Sequence, residues 1–239
     1  MRAEIKGRLC GWAHNFSGYD SHCIMKAIAA RKKKENDLMF EGKRIRLEAI
    51  PLNTQKFKML KINKIILMDS MGFLSDSLEN LVENLKKSNH AFNLMRQWVD
   101  DPDQLQLLLR KGIFPYEHMD SMDKLHEKVL PPPEAFASRL SGSASASQED
   151  YEHAQKVWKT FGCNDMKEYS LLYVMADCYQ LLEAMCELRF TLYNEFNLDL
   201  CHFFSLPMYA KCALFKKTGA KVELLTDSEM IHMVKSNIR

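Results

Sequence analysis

The sequence predicts an α/β chain in which a small sheet comes early and helices fill the rest. Three observations carry that reading. Two alternating apolar runs lie between residues 43 and 70. From Leu74 to Phe196 apolar residues recur mainly at helical spacing. The chain has 239 residues and is 46% hydrophobic, enough for one large domain, or a domain plus an appendage, with a real core.

The elements follow in order. Residues 21–34 (SHCIMKAIAARKKK) place Ile24, Ala27 and Ile28 at helical spacing and close on lysines, where cations suit the helix dipole. KRIRLEAIPL alternates Ile45, Leu47 and Ala49, as a strand does. KFKMLKINKIILMDS alternates Phe57, Met59 and Leu60/Ile62 and ends in a buried-looking IILM. The short NTQ between them reads as a hairpin turn. Next comes a helix through LSDSLENLVENLKK, with Leu74, Leu78, Leu81, Val82 and Leu85 in phase. Another runs through PDQLQLLLRKG, with Gly112 as its stop. Residues 113–146 are looser; they contain Pro131-Pro132-Pro133, and SGSASAS follows as a flexible surface loop. Ser147 to Asp150 form a capping box opening a helix to Phe161. Residues 165–196 form the longest helix, apolar on several faces and therefore expected to be buried. Thr226 to Glu229 form a second capping box, starting a last short helix.

Composition narrows the class. Seven cysteines, none in a C-x-x-C pair, fit a reduced intracellular chain better than a disulfide framework or a zinc site. No signal peptide is visible, and no apolar run approaches the roughly 20 residues of a membrane span. The net charge is +2, but Lys26 to Lys64 hold twelve Lys/Arg against four Asp/Glu. That local excess suits a polyanion such as nucleic acid; a solvated helix and a lysine-rich hairpin would give the same count.

Three motifs carry candidate chemistry. His14-Asn15-Phe16-Ser17-Gly18-Tyr19-Asp20 runs straight into a helix, where Asp20 could be an ordinary first-turn acid. Tyr173 and Asp177 share one face of the long helix, and a carboxylate there needs a partner, whether a metal, a lysine or a backbone amide. Arg110 to Tyr116 place a lysine and an aromatic at a helix end, fit for packing or for a phosphate and a base.

Taken together, these motifs resemble a known set. Asn15…Tyr19-Asp20 followed by Tyr173-x(3)-Asp177 is similar to the second and third exonuclease motifs of family B DNA polymerases. Lys111-Gly-Ile-Phe114 resembles the K-x-x-hydrophobic motif of the protein-primed subgroup. Ser70-Met71-Gly-Phe-Leu74 resembles its (S/T)-L-x-x-hydrophobic motif, with Met71 in place of Leu. The strings HNFSGYDSH, LMDSMGFLSDSLENLVENL and LLRKGIFPYEHMD look like the organellar, viral and self-synthesising-transposon branch. The likeness covers nearly the whole chain from about His14.

The resemblance implies a truncated ribonuclease H-like (DnaQ-like) 3′–5′ exonuclease domain over residues 1–200, with its loop at about 130–147. Residues 201–239 would begin the connection toward an absent polymerase domain. It implies Mg²⁺ or Mn²⁺ held by Asp20 and Asp177, a water oriented by Tyr173, and a scissile phosphate steadied by Lys111. Asn15, Tyr19, Ser70 and Met71 would hold a single-stranded 3′ end of DNA. Deoxynucleotides would be substrates only of the intact family enzyme. Asp20 and Asp177 are expected to converge to within roughly 8 Å to serve one metal site.

The chain departs from the pattern in two places. The family's first exonuclease motif, a D-x-E upstream of Asn15, has no counterpart in MRAEIKGRLCGWAH. Nor is there a D-x-x-S-L-Y-P-like or D-T-D-like polymerase motif. Two of the four metal carboxylates are thus missing, so the cation site is expected to be incomplete, independent exonuclease activity weak, and primer extension absent. A non-catalytic remnant that binds single-stranded DNA or a partner protein is the alternative expectation.

Overall fold

The computed structural model describes residues 7–35, 39–40, 43–53, 56–137, 145–223 and 225–237. Among them is a mixed four-stranded sheet, in the order β1-β6-β5-β4, with a two-stranded ribbon and eight α-helices. β1 is Leu9–Ala13, β4 Leu47–Pro51, β5 Phe57–Ile62 and β6 Ile65–Asp69. The ribbon pairs β2 (Met39–Phe40) with β3 (Lys43–Arg44). β4, β5 and β6 form an antiparallel meander, and β1 adds in parallel on β6, Leu9 beside Ile65 and Ala13 beside Asp69.

Two features of the sheet differ from the sequence expectation. β1 was not foreseen, because LCGWA is short and does not alternate. KFKMLKINKIILMDS is two strands rather than one run. Asn63 takes a left-handed conformation (φ 56°) and folds the chain back between Ile62 and Ile65. Its side chain accepts from the Arg46 N–H at 2.9 Å, tying the turn to the chain entering β4. Of the NTQ turn, residues 54 and 55 lie outside the described residues, as do residues 141–144 of the SGSASAS loop.

Helix α1 (Asp20–Glu35) forms where apolar spacing predicted a helix over residues 21–34, follows β1 and lies against β5. α2 is Leu78–Lys87, capped by the Ser77 hydroxyl, which accepts from the Asn80 N–H at 3.2 Å. α3 (Asn93–Trp98) and α7 (Leu206–Thr218) were not foreseen. α4 (Pro102–Leu108), with Leu109 as its C-cap, stops before the expected Gly112. α5 is Gln148–Thr160, with the Ser147 cap accepting from Asp150 N–H at 3.1 Å. In α8 (Ser228–Asn237) Asp227 caps, accepting from Glu229 and Met230 at 2.9 Å each, in place of Thr226.

α6 (Met166–Phe196) is the axis of the helical half. α2, α3 and α4 pack on it through Leu81, Val82, Met95, Leu105 and Leu108, against Ala176 and Ala184. Further along, Leu181 and Met185 meet Phe73, Leu200, Phe203 and Tyr209. Trp12 of β1 and Leu74 border that cluster, so the same core joins the sheet to the helices. α6 is not buried all round: Leu171 and Val174 are each 55% exposed and Phe190 is 64% exposed. Its apolar residues therefore serve one packed side and one open side.

A second departure from an all-apolar α6 is Glu183, buried at 2% exposure. Its carboxylate accepts from the N–H groups of Leu94 (2.7 Å) and Met95 (2.9 Å) and contacts His90 Nε2 at 2.9 Å. Those amides are first-turn donors of α3, whose own N-cap, Phe92, makes no side-chain cap. A residue from α6 thus supplies the cap that α3 lacks. All seven cysteines are free.

Candidate functional site

β1 and β6 run parallel and end side by side, so the loops leaving their C-terminal ends are neighbours. Such ends are where open α/β sheets bind ligands. After β1, Asn15 turns left-handed (φ 58°) and Phe16, 1% exposed, plugs into the core. Gly18 sits under the Asn15 side chain: a Cβ there would lie 2.6 Å from the Asn15 amide oxygen. The turn closes through Gly18 N–H to Asn15 O at 2.9 Å and Ser21 N–H to Phe16 O at 3.0 Å. Tyr19 and Asp20 are exposed at the mouth of α1, as is Asn15.

After β6, Ser70–Gly72 make a 3-10 turn. Ser70 is fully buried; its hydroxyl meets His14 Nδ1 at 3.0 Å and donates to Ala13 O at 3.4 Å. A hydroxyl so committed fixes the turn rather than facing outward. Met71, beside it, is exposed. Asp69 was not singled out in the sequence. It is buried and accepts from the Ser17 N–H at 2.9 Å, the Ser17 hydroxyl and the Met71 N–H at 3.0 Å. An acid closing a buried apolar strand, just before Ser70, was the signal that could have found it.

The second group gathers on α6. Tyr173 and Asp177 stand one turn apart on one face of the helix, and the Tyr173 phenol favours the ionised Asp177 carboxylate. Burial pushes the Asp177 carboxyl up to about 6, against the opposing pull of the Tyr173 phenol and of the Lys111 charge. Burial also raises the Tyr173 phenol, reinforced by its contact with Tyr116. Gly112 lets the loop backbone come close: a Cβ there would be 3.2 Å from the Tyr173 ring. Phe114 lies beside the same ring, centroids 5.2 Å apart, and the Tyr116 and Tyr173 hydroxyls are 3.0 Å apart. The early end of α4 makes this possible, since it leaves residues 110–116 free to lie along α6. Lys111 itself is exposed and pairs with Glu79 of α2 at 3.3 Å.

Below Asp177, one further turn along the same face, Gln180 is buried and donates to Leu108 O at 2.6 Å. Gly112, Tyr173, Asp177 and Gln180 line a small cavity of about 30 Å³, room for a water or two.

The eight residues expected from sequence therefore fall into two groups. Asn15, Tyr19, Asp20, Ser70 and Met71 belong to the strand-end loops. Lys111, Tyr173 and Asp177 belong to α6 and the loop beside it. The Asp177 carboxylate answers to burial, to Tyr173 and to Lys111. Among the described residues no cluster of three or more His, Cys, Asp or Glu side chains could hold a metal ion. A hard divalent cation takes several oxygens, so the described donor set does not fit one by itself. No described helix is long and apolar enough to cross a membrane.

Compared with known families, residues 11–239 match the one described as DNA polymerase type B, organellar and viral. No curated protein and no solved structure matches the chain.

Proposed function

The chain belongs to the organellar and viral type B DNA polymerases, and from that premise we propose that it carries the strand-holding part of their 3′–5′ exonuclease. The family makes DNA the partner class. The observation that carries the finer reading is the Tyr173–Asp177 pair on one face of α6, with Lys111 acting on the same carboxylate. In this reading the unpaired 3′ end lies across Asn15, Tyr19 and the Ser70–Met71 turn. Exposed Tyr19 offers a ring to a base, and Lys111 exchanges its pairing with Glu79 for a phosphate. Tyr173, one turn before Asp177 on the same helix face, would hold a water beside that carboxylate. Asp20 and Asp177 are the carboxylates proposed to face Mg²⁺ or Mn²⁺. The described donors do not complete a cation site, so strand binding is the step assigned to this chain.

The test is anisotropy of a 3′-labelled single-stranded oligonucleotide across a salt series. Binding should weaken as salt rises, and Lys111→Ala should weaken it further with a log–log slope shallower by about 1. No binding, or binding indifferent to salt, refutes the reading. The length of the oligonucleotide in Mg²⁺ or Mn²⁺ decides the rest. Shortening from the 3′ end marks an exonuclease; retention of full length marks a single-strand-binding module.

A further inference from the structure

We propose that Asp69 is a positioning residue that holds the two strand-end loops in register with each other. The inference rests on the strand-binding reading above. Ala13 and Asp69 are paired as the last residues of β1 and β6, so both loops start at one level. Each carboxylate oxygen serves one loop. Oδ2 accepts from the Ser17 N–H and hydroxyl, and Oδ1 accepts from the Met71 N–H. Asp69 is 8% exposed, so neither interaction is diluted by solvent as a surface contact would be.

This arrangement does what a cap alone would not. An Asp whose only task was the 3-10 turn would need Oδ1 and would leave Oδ2 to water. Here Oδ2 reaches 52 residues back in sequence to the turn that carries Asn15 and Tyr19. The His14–Ser70 contact at 3.0 Å is a second tie between the same two loops, and it is not charge-assisted by a carboxylate. Asp69 therefore fixes the separation of Tyr19, exposed on one loop, from Met71, exposed on the other. A ledge for unpaired bases needs that separation constant, because bases stack only on surfaces held at the spacing of the strand.

The test uses the full chain and three variants. Asp69→Asn keeps shape and one acceptor but points N–H groups at donors. Ser17→Ala removes only the hydroxyl. Glu183→Gln disturbs a comparably buried carboxylate that touches neither loop. Amide hydrogen exchange on the free proteins and anisotropy with a single-stranded oligonucleotide ending in 2-aminopurine are the readouts. Asp69→Asn should speed exchange over residues 15–20 and 70–73, weaken binding about tenfold and alter the fluorescence of the terminal base at saturation. Ser17→Ala should do the same to a smaller degree. Glu183→Gln should destabilise the fold and leave affinity unchanged. If exchange in the loops does not respond to Asp69→Asn, the tie does not exist. If exchange responds but affinity and base fluorescence do not, Asp69 is structural only, and the proposal falls. If the wild-type chain binds no oligonucleotide, the strand-binding reading itself fails and takes this inference with it.

Discussion

The hydroxyl of Tyr116 lies 3.0 Å from the hydroxyl of Tyr173, joining the loop after α4 to the N-terminal part of α6. Tyr116 is otherwise exposed, but its ring stands edge-on to Phe114 with centroids 5.1 Å apart. Tyr116→Phe should cost at most about 1 kcal/mol, since a partly solvated hydrogen bond contributes little. Tyr116→Ala should cost about 1–2 kcal/mol through the lost ring contacts. Urea midpoints at constant m-value would check both, and a neutral Tyr116→Ala would show that the ring packs on nothing.

Asp177 gives stability a pH dependence of a definite sign. Burial pushes its folded carboxyl up to about 6, above the ordinary carboxylate value of 3.8. Ionising it is therefore harder in the fold than in the unfolded chain, and stability is lost as pH rises from about 4 through about 6. Asp177→Asn should be more stable than wild type at pH 7–8, by about 1–2 kcal/mol after allowing for partial solvent screening. The difference should close below about pH 4. Thermal melts of both proteins from pH 4 to 8 test this, and a variant less stable than wild type at pH 8 would contradict it.

Glu183 should behave in the opposite way to an ordinary surface acid. Glu183→Ala leaves the buried Met95 amide and the half-buried Leu94 amide of α3 without their acceptor, while His90 keeps Glu187 at 3.3 Å, and should cost about 3–5 kcal/mol. Glu183→Gln keeps one acceptor oxygen and should cost less. Denaturant unfolding followed by circular dichroism would rank them, and equal losses would mean that the acceptor is not what matters.

Gly18→Ala separates local placement from stability. The added methyl meets the Asn15 side chain, the movable end of a residue, rather than backbone. The fold should lose less than about 1 kcal/mol, while the Asn15 amide is pushed from its place. Single-strand affinity should then fall several-fold with an almost unchanged melting temperature. Loss of both together would show that the turn needs glycine for its own folding.

The helices with strong local signals were legible in the sequence. α2, α5 and α8 each combine a capping side chain with apolar periodicity, so backbone and packing preferences agree. α3 lacked such signals, whereas α7 was missed although Pro207 stands in its first turn and Gly219 closes it in the left-handed conformation. α3 is six residues long and takes its cap from Glu183, more than eighty residues away in sequence, which no local window can see. β1 was missed because a short edge strand needs no alternation when its partner supplies the ladder. That Tyr173 and Asp177 share one face of α6 was legible, because i,i+4 spacing fixes it. Asp69 was not, because its meaning lies in Ser17, which only the parallel pairing of β1 and β6 brings beside it.

That parallel pairing also sets an order in time. β4, β5 and β6 are joined by short turns and can zip together early, whereas β1 meets β6 only after a crossover in which partners stand 56 residues apart. Closing so long a loop loses chain entropy before any contact repays it, which places the docking of β1 late in folding. The two loops at the strand ends come together at that same late moment. A refolding chain should thus regain its helices first and its ability to grip a strand last. In a protein keeping Trp12 of β1 as its one tryptophan, the fluorescence phase should lag behind the far-ultraviolet signal, and DNA binding should follow the slower of the two.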